Sequence, residues 1–162
     1  MSEREVFLRT YEREHDVTRK VLHAYPADQA GLKPAERSSS AQQLAVTFVA
    51  AETMMLRALK RETVLGGIAD SAPKTWDEAL EKFDAQHAEV LRLLGDGGDD
   101  PFEGTVQFFV APRTMGDFRT GDFLWFLLHD QIHHRGQLTV YLRLAGGKVP
   151  SVYGPSADEP WT

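Results

Sequence analysis

The chain of 162 residues contains no cysteine. That excludes a disulfide framework, a thiolate metal site and a cysteine nucleophile, so any metal must use His, Asp, Glu or backbone oxygen. Positive charge is short as well: 18 Lys and Arg face 24 Asp and Glu, a formal net charge of −6. With no basic run, neither a nucleic-acid partner nor an anionic membrane partner is expected. Long apolar runs are missing. The longest strongly apolar stretch, Phe123 to Leu128, is far below the roughly 20 residues of a membrane helix. Met1 to Glu5 is charged and has no apolar signal core, so the sequence predicts a cytoplasmic protein. Internal repeats and low-complexity tracts are absent.

What remains is 42% hydrophobic and 26% charged, the material of a single domain over residues 1–162 with one core. Four segments carry helical periodicity. Phe7, Tyr11, Val17, Val21 and Tyr25 predict a helix over about 4–25, ended by Pro26. Leu44, Phe48, Ala51, Met55 and Leu59 predict a second over 41–60, with Ser38 to Ser40 as N-cap candidates and Gly66-Gly67 in the loop beyond. Thr75 and Glu78 form a T-x-x-E capping box ahead of a third helix over 75–94, stopped by Gly95, Gly97 and Gly98. A short extended segment is expected at Thr105 to Val110, which is rich in β-branched and aromatic residues. The fourth helix begins near Thr120 or Asp122 and stops at Gly146-Gly147. Its apolar first half predicts burial on most sides or a subunit contact, hence a homodimer. The proline-containing tail, Lys148 to Thr162, reads as an extended strip. The fold class is all-α, a four-helix bundle.

Chemistry concentrates at His129-Asp130-Gln131-Ile132-His133-His134-Arg135-Gly136-Gln137. Residues four apart on a helix are neighbours on one face, which pairs Asp130 with His134 and, alternatively, His129 with His133. Either pair offers ordinary ligands for a divalent cation. The sequence of steps Phe123, Leu127, Asp130, His134, Gln137, Tyr141 places the Asp130–His134 pair and Gln137 on the bundle seam, where charges must pair, bind something or face a cavity. The competing reading is a structural Asp–His contact without metal. On the second helix, Thr47 and Glu52 are candidate cavity-lining residues, although a helical threonine often bonds its own backbone. Arg135 either holds a substrate carboxylate or makes a salt bridge that staples the tail or the dimer. His87 is expected in the core, His15 and His23 at the surface.

These elements together resemble the DinB family, the DinB/YfiT-like group. The matching residues are His133-His134-Arg135-Gly136-Gln137, Tyr141-Leu142-Arg143, the run Gly146 to Pro150, the tail Tyr153 to Glu159, and the second-helix segment Leu44 to Glu52. The resemblance implies a four-helix bundle, often dimeric, with a metal held by three histidines. Carried over residue by residue, those positions are Thr47, Asp130 and His134, so one of the three histidines is present. It further implies metal-dependent chemistry: zinc, nickel or another divalent ion lowers the pKa of a bound low-molecular-weight thiol or water for transferase or hydrolase reactions. The alternative is a metal-free, non-catalytic, stress-associated binding or scaffold member of the same fold.

Overall fold

The structure, a computed structural model, describes residues 1–66, 68–95 and 100–162. Four helices form it: α1 (Glu3–Ala24), α2 (Ala41–Leu59), α3 (Trp76–Gly95) and α4 (Thr120–Leu144). Short 3-10 turns occupy Ala27–Gln29 and Pro101–Glu103. A two-stranded antiparallel sheet, β1 (Thr105–Ala111) and β2 (Thr114–Arg119), precedes α4. The fold is therefore the all-α bundle with an extended insertion. The glycines at 67, 97 and 98 lie outside the described residues.

Local chemistry sets the helix ends. Ser2 caps α1: its hydroxyl accepts from the Glu5 N–H and the Glu5 carboxylate accepts from the Ser2 N–H. Ser40 and Gln43 make the same reciprocal cap for α2. Each satisfies backbone donors that a helix start leaves bare. The box on α3 closes differently. Thr75 accepts from the Glu78 N–H at 3.2 Å, whereas the Glu78 carboxylate takes the N–H of Lys74, one residue further back.

The extended segment is a hairpin rather than a lone strand. Val106 pairs with Phe118 and Phe108 with Gly116. Pro112 and Arg113 turn the chain, Arg113 in the left-handed region at φ 60°. Gly116 is required by space, because a Cβ there would lie 2.9 Å from a Val110 methyl.

Around the bundle the neighbours run α1, α3, α2, α4 and back to α1. The core divides into two apolar layers. One holds Phe7, Tyr11, Met55, Val90, Leu94, Phe123 and Leu127. The other holds Val21, Leu22, Phe48, Trp76, Phe83, Leu138 and Leu142. Residue order along each helix fixes direction: α1 and α4 run from the first layer to the second, α2 and α3 the opposite way. Between the layers every helix contributes buried polar groups: Glu14, His15 and Thr18 from α1, Glu52 from α2, His87 from α3, Gln131 and Arg135 from α4.

The Phe123–Leu128 run is buried on most sides, at Phe123, Leu124, Leu127 and Leu128, while Trp125 is half-buried and Phe126 exposed. One expectation is corrected. The tail is not a plain strip. It loops on itself, with the Val149 N–H donating to Asp158 at 2.8 Å and Arg143 pairing with Asp158 at 2.6 Å.

Candidate functional site

The centre of the buried face of α4 passes through Leu124, Leu128, Gln131, Arg135, Leu138 and Leu142. Asp130, His134 and Gln137 sit on its flank, about 100° round the helix from their next neighbours, as a period of 3.6 residues requires. The seam inferred from the steps of four and three was displaced by one residue: Gln131 and Arg135 occupy the interior. The Asp130 and His134 side chains are 39% and 22% exposed, so neither sits in the apolar interior.

Asp130 and His134 nevertheless meet. Oδ2 of Asp130 lies 3.4 Å from Nε2 of His134. The other ring nitrogen, Nδ1, is 3.0 Å from Oε1 of Gln137, whose amide nitrogen in turn reaches Nε2 of His133 at 2.9 Å. With the Gln137 amide so oriented, His134 donates from Nδ1 and Nε2 faces the Asp130 carboxylate. His134, Gln137 and Tyr141 line one wall of a groove of about 570 Å³. Thr47 and Leu44 of α2 and Ser38 and Ser39 of the preceding loop line the rest. Thr47 donates its hydroxyl to the Leu44 carbonyl at 2.6 Å. Tyr141 donates to the Ser39 carbonyl at 2.9 Å, tying α4 to that loop.

Of the two helical pairs, His129 and His133 point away from this groove, both exposed. His129 stacks on Trp125 with ring centroids 5.9 Å apart. Glu52 is not on the groove wall. It is fully buried in the interior, accepting hydrogen bonds from Tyr11 and, at 3.0 Å, from Gln131. Burial pushes its carboxyl up to about 7, against the opposing effect of those two donors.

Arg135 is buried with its charge already met. It pairs with Glu14 at 2.8 Å, donates to Thr18 and to the Glu14 carbonyl at 3.2 Å each, and lies under the Tyr153 ring. The Tyr153 hydroxyl donates to Glu14 at 2.6 Å and accepts from Arg135 at 2.5 Å. Burial alone would raise the Glu14 carboxyl, but bonds from Tyr153 and Arg135 hold it below the ordinary value. This geometry is that of the stapling salt bridge: α1, α4 and the tail converge on one guanidinium. An Arg in this state has no free edge for a substrate carboxylate.

The interior also holds groups that sequence reading missed. His15, expected at the surface, is buried against His87, their rings stacked 3.6 Å apart. His87 also packs on Tyr11. Asp84 stands 3.3 Å from Nε2 of His15. Burial pushes both imidazoles down, His87 to about 3, with the neighbouring His15 adding to the effect. The signal was present in register: positions 11, 15 and 18 continue the Phe7 stripe.

Among the described residues, no group of three or more His, Asp or Glu side chains is placed to hold a metal ion. The three positions that the family resemblance assigns to metal hold a hydroxyl bonded to its own helix, a carboxylate and one imidazole. That donor set does not fit a three-histidine centre. No helix among the described residues is long and apolar enough to cross a membrane.

Comparison with known proteins agrees with this architecture. The family model described as "DinB family" matches residues 1–161. The chain is 26% identical over 167 aligned residues to the uncharacterised protein YrdA of Bacillus subtilis (strain 168), covering 94% of this chain and 89% of that protein. Among solved structures, a DinB-like protein from Bacillus cereus ATCC 10987 superposes with a TM-score of 0.75 at 24% identity, covering 92% of this chain and 97% of the other. The DinB-like protein YjoA of Bacillus subtilis superposes with a TM-score of 0.69 at 16% identity, covering 90% and 96%. On the whole-chain family match and this shared bundle, the protein belongs to the DinB family.

Proposed function

We propose that this DinB-family protein binds a small polar molecule in the groove between α2 and α4, with the Asp130–His134 pair as its chemical centre and no resident three-ligand metal. The observation that carries this reading is the 3.4 Å approach of Asp130 to His134 beside a groove whose third family position, Thr47, is occupied with its own backbone. His134 is oriented from both ring nitrogens, and the hydroxyls and amide around it suit a ligand with several hydrogen-bonding groups. The test is elemental analysis of untagged protein, followed by thermal-shift screening of low-molecular-weight thiols and other small polar compounds. The expected result is metal well below one ion per chain and a ligand-induced shift that His134→Ala abolishes. Stoichiometric metal in the untagged protein overturns it.

A second reading has its own support. An Nε2 lone pair facing a carboxylate oxygen is an arrangement that a divalent ion relieves as well as a proton does. In that case zinc or nickel rests on Asp130, His134 and water, and the activity is a metal-dependent transferase or hydrolase using a low-molecular-weight thiol. Metal retained through purification and lost in His134→Ala, but kept in His129→Ala, selects it.

We also propose a homodimer through the outer stripe of α4, where Phe126, Val140 and Leu144 are exposed. Exposed apolar side chains at this spacing suit an isologous contact. Light scattering at tens of micromolar, an arbitrary but generous concentration, should give twice the chain mass, and Val140→Glu should halve it. A monomeric mass for the parent protein refutes the dimer.

A further inference from the structure

The outward face of α4 carries a seam that the bundle does not use. Phe126, His129, His133, Gly136 and Val140 are all exposed. They follow in steps of three, four, three and four, the alternation by which one helix keeps a single stripe against another. The stripe is apolar at both ends and polar in the middle, where two imidazoles stand one turn apart. Gly136 is the odd member. Glycine weakens a helix interior, yet a Cβ here would meet nothing within 4 Å among the described residues. Nothing described in this chain needs the missing side chain.

A second copy of α4 would need it. In an antiparallel crossing centred midway between His129 and His133, Phe126 of one copy meets Gly136 of the other, each five residues from the centre. The ring enters the hole between His133, Gly136, Gln137 and Val140 of the second copy, the four-residue receptacle of knobs-into-holes packing. Glycine gives that hole its depth. A parallel contact would instead set Phe126 on Phe126 and glycine on glycine. The antiparallel crossing also sets His129 of each copy opposite His133 of the other, so four imidazoles converge on the two-fold axis. Their rings are already prepared. The Gln137 amide donates to Nε2 of His133 at 2.9 Å, which keeps that nitrogen unprotonated, the form a metal needs. A bound ion takes the place of that N–H. His129 is held by its stack on Trp125. One copy supplies two ligands, and zinc takes four in a tetrahedral array.

We infer that two copies of α4 close around one borderline-soft divalent ion, zinc by class, held by His129 and His133 of each copy. The inference rests on the homodimer proposed above and names what its centre holds; Asp130 and His134, on the flank of the helix, take no part.

The experiment uses the untagged full chain, stripped with EDTA and then titrated with zinc chloride. Mass is followed by light scattering across a dilution series and bound zinc by isothermal calorimetry. Zinc should bind at one ion per two chains. It should tighten the dimer about tenfold when free zinc is about ten times its own dissociation constant, as mass action requires. His129→Ala and His133→Ala should each abolish the tightening, while His134→Ala keeps it, which separates this site from the groove. Gly136→Leu, whose side chain finds open space in the single chain, should keep native circular dichroism and lose the dimer with or without zinc. A parent dimer that zinc leaves unchanged, or zinc tightening that survives both His129→Ala and His133→Ala, overturns the ion site and spares the dimer. A Gly136→Leu dimer as tight as the parent's overturns the crossing. A parent chain monomeric at every zinc concentration removes the homodimer itself, and the ion site with it.

Discussion

Replacing Glu52 by glutamine should make the protein more stable at alkaline pH. Glu52 is fully buried between the two apolar layers, and Tyr11 and Gln131 do not offset the cost of ionising it there. Its carboxyl is raised from 4.5 to about 7. At 1.36 kcal/mol for each tenfold change in proton affinity, that corresponds to about 3 kcal/mol. The folded state holds this proton more tightly than the unfolded chain. Stability is therefore fully present below about 4.5, falls as pH rises through 7, and is flat beyond. Glutamine never ionises, and its amide oxygen still accepts from Tyr11. The variant should match the parent near pH 4.5 and exceed it by about 3 kcal/mol at pH 8.5, a rise of roughly 6–12 °C in Tm for a chain of this size. Urea titrations followed by circular dichroism at pH 4.5, 6, 7 and 8.5 measure the difference directly. Other titrating groups are common to both proteins and cancel. Parallel pH curves for parent and variant would refute the reasoning, because they would mean that Glu52 does not bear the cost of burial.

His87→Leu should flatten acid sensitivity. Its imidazole is depressed to about 3, so the parent loses stability as pH falls below 6.5, and by pH 4.5 the variant should recover about 2 kcal/mol relative to pH 7 in the same titrations. Arg135→Ala leaves Glu14 as a buried unpaired carboxylate and should cost about 3–5 kcal/mol, whereas Tyr153→Phe removes one bridging hydroxyl and should cost about 1–2 kcal/mol in chemical denaturation. His134→Ala, by contrast, breaks a part-exposed pair and should cost under about 1 kcal/mol, well short of a buried-pair loss. Thr47→His combined with Asp130→His restores three imidazoles at the family's positions. It should bind zinc stoichiometrically, with a metal-dependent rise in Tm larger than the parent's; no zinc uptake would show that these side chains do not converge.

Much of the fold was legible from local rules. The Leu44–Leu59 stripe, the Ser40 cap and the Thr75 cap depend on a few neighbouring residues, and the helices fall where those signals put them. The second strand was not legible. Met115-Gly116-Asp117 has no strand propensity of its own and is extended because β1 pairs with it. The same division runs through the site. Spacing alone brought Asp130 to His134, since four residues make one helical turn. Which face of α4 looks inward was decided by packing. Steps of three and four fit two adjacent stripes on so apolar a helix, and only the positions of α1 and α2 show that Gln131 and Arg135 are the buried pair.

Composition and periodicity by themselves determined an all-α chain with no thiol of its own, its helix boundaries, and the i,i+4 pairs. These are properties of the chain within one or two turns. Tertiary structure decided what each charge meets. Arg135 finds Glu14 across 121 residues and Tyr153 across 18, and Glu52 finds Tyr11 across 41. Such separations leave no periodic trace in sequence. Burial set by the other three helices then determines whether a carboxylate stays part-exposed beside an imidazole, as at Asp130, or becomes a raised acid locked in the core, as at Glu52.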